Sequence, residues 1–162
     1  MKGVKLPHLQ SAGVLVYRRR NGAPEVLLVH PGGPFWQRKD DGAWSIPKGE
    51  FSGDELPEAA ARREFTEETG ATLPDHLIAL TPIAQSRGKV VHPFAVEADI
   101  DADTLRSNTF TLEWPPRSGT MREFPEIDRA AWYSLADAQR KIIAGQRPIL
   151  TELAERLTHG QE

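Results

Sequence analysis

The sequence predicts an α/β fold, an α/β/α sandwich whose helices cover a central mixed β-sheet. Three observations lead there. Short apolar runs dominate residues 12–30 and return between residues 77 and 100. Helix formers fill one central stretch after residue 52. The last thirty residues carry a capping signal and helical periodicity. Strands first, one central helix, more strands and then terminal helices is the order expected when helices pack on the faces of a sheet. A chain of 162 residues is one ordinary domain, 1–162, able to bury roughly two-thirds of its unfolded surface.

Residues 12–17 read as the first strand. The polar stretch 18–24 contains Asn21-Gly22, a hairpin signal, and residues 25–30 are the return strand. Pro31-Gly32-Gly33-Pro34 must be irregular, and residues 35–41 form a loop. Ser52-Gly53-Asp54-Glu55 has the Ser-x-x-Glu form of a capping box, with Asp54 a rival cap. Pro57 is tolerable only in a first turn, and Gly70 suits a left-handed C-cap. Residues 77–83 and 90–100 are further strands joined by a turn at 85–88. Residues 114–119 are irregular, and residues 130–133 are a short strand. Ser134 to Asp137 is a second capping signal, opening a helix to about residue 144. Pro148 starts a last helix with Leu150, Leu153 and Leu157 on one stripe.

The central helix carries the chemistry. Glu64, Glu67 and Glu68 stand at i, i+3 and i+4, so they share one face and repel one another. Glutamates at such spacing are usually solvated, but three together need an attractor. Mg²⁺ is the natural one, a hard cation that takes carboxylate oxygens and shares its shell with substrate phosphates. Arg63, four residues before Glu67, can hold that carboxylate in place.

Composition sets limits. The net charge is −3 and the charged fraction 27%, so nothing global points to a nucleic acid polymer as partner. There is no cysteine, hence no disulfide or thiolate metal site; this fits a reducing cytoplasm. No apolar run is long enough for a membrane span. Arg18, Arg19 and Arg20 sit at a hairpin tip and read as solvated. The histidines show no ligand spacing, and the leucine stripe reads as core.

Gly49, Glu55 and the run Arg63-Glu64-Phe65-Thr66-Glu67-Glu68-Thr69-Gly70-Ala71 resemble the Nudix box, with all seven fixed positions present. More loosely, Trp44 to Gly49 resembles the strand entering that box, and Glu126 to Tyr133 the acidic loop and late strand, of Nudix hydrolases. The resemblance implies the Nudix fold and hydrolysis of a nucleoside diphosphate linked to another group, with water attacking a phosphorus of the pyrophosphate. It implies two or more Mg²⁺ or Mn²⁺ ions held by Glu64, Glu67, Glu68 and the Gly49 carbonyl. Arg63 would orient the carboxylates, with Glu55 and Gly70 supporting the loop and helix. For the general base, Glu64 and a carboxylate of the late loop, Glu123 or Glu126, stay open.

Lys48, just ahead of the box, resembles the entry seen in Nudix hydrolases of dinucleoside polyphosphates and diphosphoinositol polyphosphates. Arg38, Lys39, Arg87, Lys89 and Arg117 are candidates for a phosphate channel, and Trp36 and Trp114 for stacking on a base. The expected partner is a small nucleotide carrying several phosphates, with no nucleic acid polymer and no membrane. Nucleoside triphosphates, ADP-ribose and diphosphoinositols are the alternative substrates, and a non-catalytic binding module is the third reading. Oligomeric state is not legible.

Overall fold

The computed structural model describes residues 9–85 and 88–160. Among the described residues, nine strands and three α-helices run in the order β1 (Gln10–Arg20), β2 (Ala23–Pro31), β3 (Lys48–Phe51), α1 (Pro57–Thr69), β4 (Ile78–Ala79), β5 (Ile83–Ala84), β6 (Val90–Glu97), β7 (Thr109–Glu113), β8 (Met121–Pro125), β9 (Ile127–Ser134), α2 (Leu135–Lys141) and α3 (Arg147–Thr158). Seven strands make one mixed sheet in the order β4-β6-β1-β2-β9, with β3 also on β1 and β5 also on β6; β7 and β8 form a separate hairpin. β1 and β6 are the parallel pair, and the others are antiparallel.

Side-chain alternation along β1 builds both layers. Ala12, Val14 and Val16 pack with Ala60, Ala61 and Phe65 of α1. Leu15 and Tyr17 face the other way, onto Ala138 of α2 and Ile149, Leu150 and Leu153 of α3. A sheet between one helix and a helix pair is the sandwich the element order predicts.

β1 divides one of its edges between two neighbours. Its last residues pair with β2, Tyr17 opposite Val26 to Arg20 opposite Ala23. Its first residues pair with β3, Gln10 opposite Phe51 to Gly13 opposite Lys48. Past Val26, β2 diverges and pairs with Ser45 instead, Val29 and Ser45 exchanging two backbone hydrogen bonds of 2.9 and 3.0 Å. Residues 45–51 are therefore a wedge between diverging strands, and Lys48 and Gly49 sit in its middle.

Several boundaries differ from expectation. No side chain caps α1: Leu56 is the N-cap residue and Pro57 opens the helix, because the Glu55 carboxylate is taken by Arg63. Among residues 44–49 only Lys48 and Gly49 are strand; Trp44 and Ser45 make isolated bridges. The stretch 77–83 is broken into two short strands, with Leu80 N–H bonded to the Pro93 carbonyl. β6 stops at Glu97, β9 begins already at Ile127, and α2 ends at Lys141. The turn expected at 85–88 falls partly outside the described residues. The β7–β8 hairpin was not expected, although Thr109-Phe110-Thr111-Leu112 alternates as a half-buried strand should. Gly70 is the left-handed C-cap, φ 78°, bonded to the Thr66 carbonyl at 2.7 Å, and Ser134 caps α2 through Asp137 N–H.

Candidate active site

α1 lays Ala61, Phe65 and Thr69 on the sheet, and this orientation turns Glu64 and Glu68 toward the wedge. Gly49 and Glu64 fit closely: a Cβ at residue 49 would overlap the Glu64 carboxylate, which lies against the glycine. Glu68 lines a cleft with Lys48 and feels both its backbone and its ammonium. Gly49 with Glu64, and Lys48 with Glu68, thus meet across the β3–α1 contact, 15 and 20 residues apart in sequence.

Arg63 is the organiser. Its Nε and one terminal nitrogen grip both Glu55 oxygens at 2.8 Å. Its other nitrogen reaches Glu67 at 3.2 and 3.3 Å and Glu64 at 3.5 Å. The fork matches planar carboxylate geometry as a lysine could not. These contacts raise the Arg63 pKa and depress that of Glu55.

The electrostatics show a cluster short of positive charge. Glu68 is pushed up to about 8, first by burial and then by the charges of Glu126 and Glu64, with Lys48 opposing. Glu64 is also raised, by burial and then by Glu67, with Arg63 opposing. Burial lowers the Lys48 ammonium, against the pull of Glu68. Four carboxylates, Glu64, Glu67, Glu68 and Glu126, therefore feel one another. Among the described residues no three acidic or histidine side chains stand close enough to chelate an ion as they are. The donors still suit one: every candidate ligand is a hard oxygen, and Glu64 and Glu68 are held charged-side inward at energetic cost.

Trp36, Lys48, Glu68 and Glu126 line one cleft, closed by Val29, Ser45 and Ile143. Of the late carboxylates, Glu126 faces the cluster, whereas Glu123 is exposed on β8 opposite Thr111. Lys89 is exposed and shares a small hollow with Lys48 and Glu50. Arg38 and Lys39 are exposed on the 32–41 loop, and Arg117 on the hairpin tip. Arg87 lies outside the described residues. Trp114 stands at the hairpin tip, edge-on to Phe35 at 5.3 Å, and is not among the residues lining this cleft. Arg18 is no phosphate ligand: it pairs with Glu25 and Asp99 and lies over Trp132.

Sequence reasoning passed over Gly13, Gly32 and His30. A Cβ at Gly13 would press on the Pro47 carbonyl and the Lys48 side chain, so this strand glycine lets the wedge approach; an isolated glycine in a strand pattern is the available signal. His30 is fully buried, and nothing in its spacing marks it.

Comparison with known proteins agrees with this architecture. An RNA pyrophosphohydrolase from Brucella ovis is 29% identical, the match covering 96% of this chain and 86% of the relative. One from Mesorhizobium japonicum is 28% identical, covering 72% and 70%. A crystal structure of an Ap4A hydrolase binary complex from C. elegans has the same fold, with a TM-score of 0.66 at 22% identity, covering 93% of this chain and 98% of that one. So does the NUDIX domain of Shewanella oneidensis NrtR complexed with ADP ribose, with a TM-score of 0.66 at 18% identity, covering 94% and 90%. The NUDIX domain family model matches residues 7–153. With the box glycine, arginine and glutamates in contact as described, the chain belongs to the NUDIX domain family.

Proposed function

We propose that this Nudix pyrophosphohydrolase cleaves a phosphoanhydride in a nucleotide carrying several phosphates, a dinucleoside polyphosphate being the best fit, with divalent cations and direct attack by water. The observation that carries the reading is a cleft lined by Glu68, Glu126, Lys48 and Trp36, with Glu64 beside it acting electrostatically on Glu68 and Glu67 acting on Glu64. A binding module would gain nothing from carboxylates that raise one another's pKa.

Glu64, Glu67, Glu68 and the Gly49 carbonyl would hold Mg²⁺ or Mn²⁺, two or more ions, whose chemistry is to neutralise phosphate oxygens and activate water. Arg63 keeps Glu67 and Glu64 from swinging apart, with Glu55 anchoring the guanidinium. Glu126, which lines the cleft and acts electrostatically on Glu68, would accept the proton of the attacking water, in preference to Glu123 on β8. Lys48 supplies a positive point charge to the polyphosphate, and Trp36 offers a face for a base.

The test is a substrate panel with Mg²⁺ or Mn²⁺ and with chelator: diadenosine tetraphosphate, ADP-ribose, nucleoside triphosphates, a diphosphoinositol polyphosphate and 5′-triphosphorylated RNA. The proposal expects cation-dependent release of a mononucleotide and a nucleoside triphosphate from the dinucleotide. Fastest turnover on RNA would support a second reading, which the names of the Brucella and Mesorhizobium relatives favour and which would overturn the expectation of no polymer partner. No cation-dependent turnover on any substrate would remove the hydrolase reading.

A further inference from the structure

One buried polar group has no part in the chemistry above. His30 is the penultimate residue of β2, where its pairing with β9 shifts register, and none of its surface reaches solvent. Its Nδ1 lies 2.8 Å from Asp128 Oδ1, and its Nε2 lies 2.6 Å from the Lys39 carbonyl oxygen. The ring stands edge-on to Trp44 at 5.1 Å. Both partners are acceptors, whereas neutral imidazole has a single N–H. A bare ring nitrogen facing an acceptor, away from water, would lose a hydrogen bond and suffer lone-pair repulsion. Two N–H groups satisfy both contacts, and the adjacent carboxylate balances the charge.

The groups it joins matter to the cleft. Lys39 belongs to the 32–41 loop that carries Trp36, and Lys39 N–H is bonded to the Trp36 carbonyl at 2.9 Å. The other end of the loop is fixed by Gly32, whose N–H meets the Glu126 carbonyl at 2.9 Å. Gly32 is packed so tightly on Pro125 that any Cβ would overlap its carbonyl oxygen. The loop is therefore pinned to the β8–β9 segment at two points, beside Glu126 and at Asp128, with Trp36 between them.

We propose that His30 is a positioning residue: as an imidazolium bridging Asp128 and the Lys39 carbonyl, it holds the 32–41 loop so that Trp36 stands in the cleft with Glu68 and Glu126 before substrate arrives. The positioning role rests on the hydrolase reading; the bridge itself does not. Substrate then meets a formed wall and need not order a loop on binding.

The test compares the wild-type protein with Asp128→Asn, a change at a partly exposed side chain whose amide can donate as readily as accept. Long-range ¹H–¹⁵N spectra at neutral pH should show both His30 ring nitrogens protonated in the wild type and only one in the variant. Backbone amides of residues 36–39 should exchange about tenfold faster in the variant. With the best substrate of the panel, KM should rise about three- to tenfold while kcat stays within about twofold. A bare ring nitrogen in the wild type overturns the proposal, as does a variant whose ring changes state without altering loop exchange or KM. If the wild type turns over nothing, the hydrolase reading falls and the positioning role falls with it; spectra and exchange still decide whether the bridge exists.

Discussion

Replacing Glu68 with glutamine should make the metal-free protein more stable while disabling it. The folded protein holds the Glu68 pKa at about 8 against an ordinary 4.5, chiefly through burial and the charges of Glu126 and Glu64. Between those values the folded state keeps a proton that the unfolded chain has released. Stability therefore falls as pH rises through that window and stays low above it. At about 1.4 kcal/mol per pH unit the ceiling is about 4–5 kcal/mol. Solvent on the open side of the cleft screens part of this, leaving roughly 2 kcal/mol, or about 5–8 °C for a domain of this size. Calorimetry in chelator should then find Glu68→Gln melting higher than wild type by about that margin near pH 8.5, with the two nearly equal near pH 5. Millimolar Mg²⁺ should stabilise wild type more than the variant, because bound cation replaces the missing positive charge. Equal melting temperatures at pH 8.5 in chelator would refute the claim that the cluster is mutually repelling.

Other perturbations separate the parts of the site. Gly49→Ala should displace the Glu64 carboxylate and lower kcat by about 10²-fold with little change in melting temperature, since the clash falls on a side-chain end and not on backbone. Arg63→Ala should weaken Mn²⁺ binding about tenfold in a titration by electron paramagnetic resonance, because Glu67 and Glu64 lose their tether. Glu126→Gln should cost about 10²-fold in kcat, whereas Glu123→Gln leaves it unchanged; the reverse order would move the base to β8. Trp36→Ala should raise KM about tenfold with kcat kept if a base stacks there.

The acidic face of α1 was readable because the spacing i, i+3, i+4 fixes which side chains share a helix face: Arg63 reaches Glu64 and Glu67, and Glu64 acts on Glu68. The sandwich was readable because β1 and α1 carry the periodicities of a two-faced strand and a one-faced helix. Capping of α1 was misjudged because Glu55 has two possible employers, and a bidentate guanidinium outcompetes a backbone N–H. The β7–β8 hairpin escaped notice because its strands are short and its half-buried face holds few large side chains, Phe110, Leu112 and Phe124. His30 and Gly32 depend on partners about a hundred residues away, Asp128, Pro125 and Glu126, and long-range contacts of that kind leave no local pattern.

The segment between the diverging β1 and β2 is tied on both sides: Ser45 to Val29, Val14 N–H to the Pro47 carbonyl, and residues 48–51 to the start of β1. It acts as a keystone. The lysine and glycine at the floor of the cleft cannot shift without parting two strands that also support both hydrophobic layers, so their amides should be among the last to exchange with solvent. Adaptation to a new substrate must then come from the rim, in the 32–41 loop that carries Trp36, while the floor stays as rigid as the core beneath it.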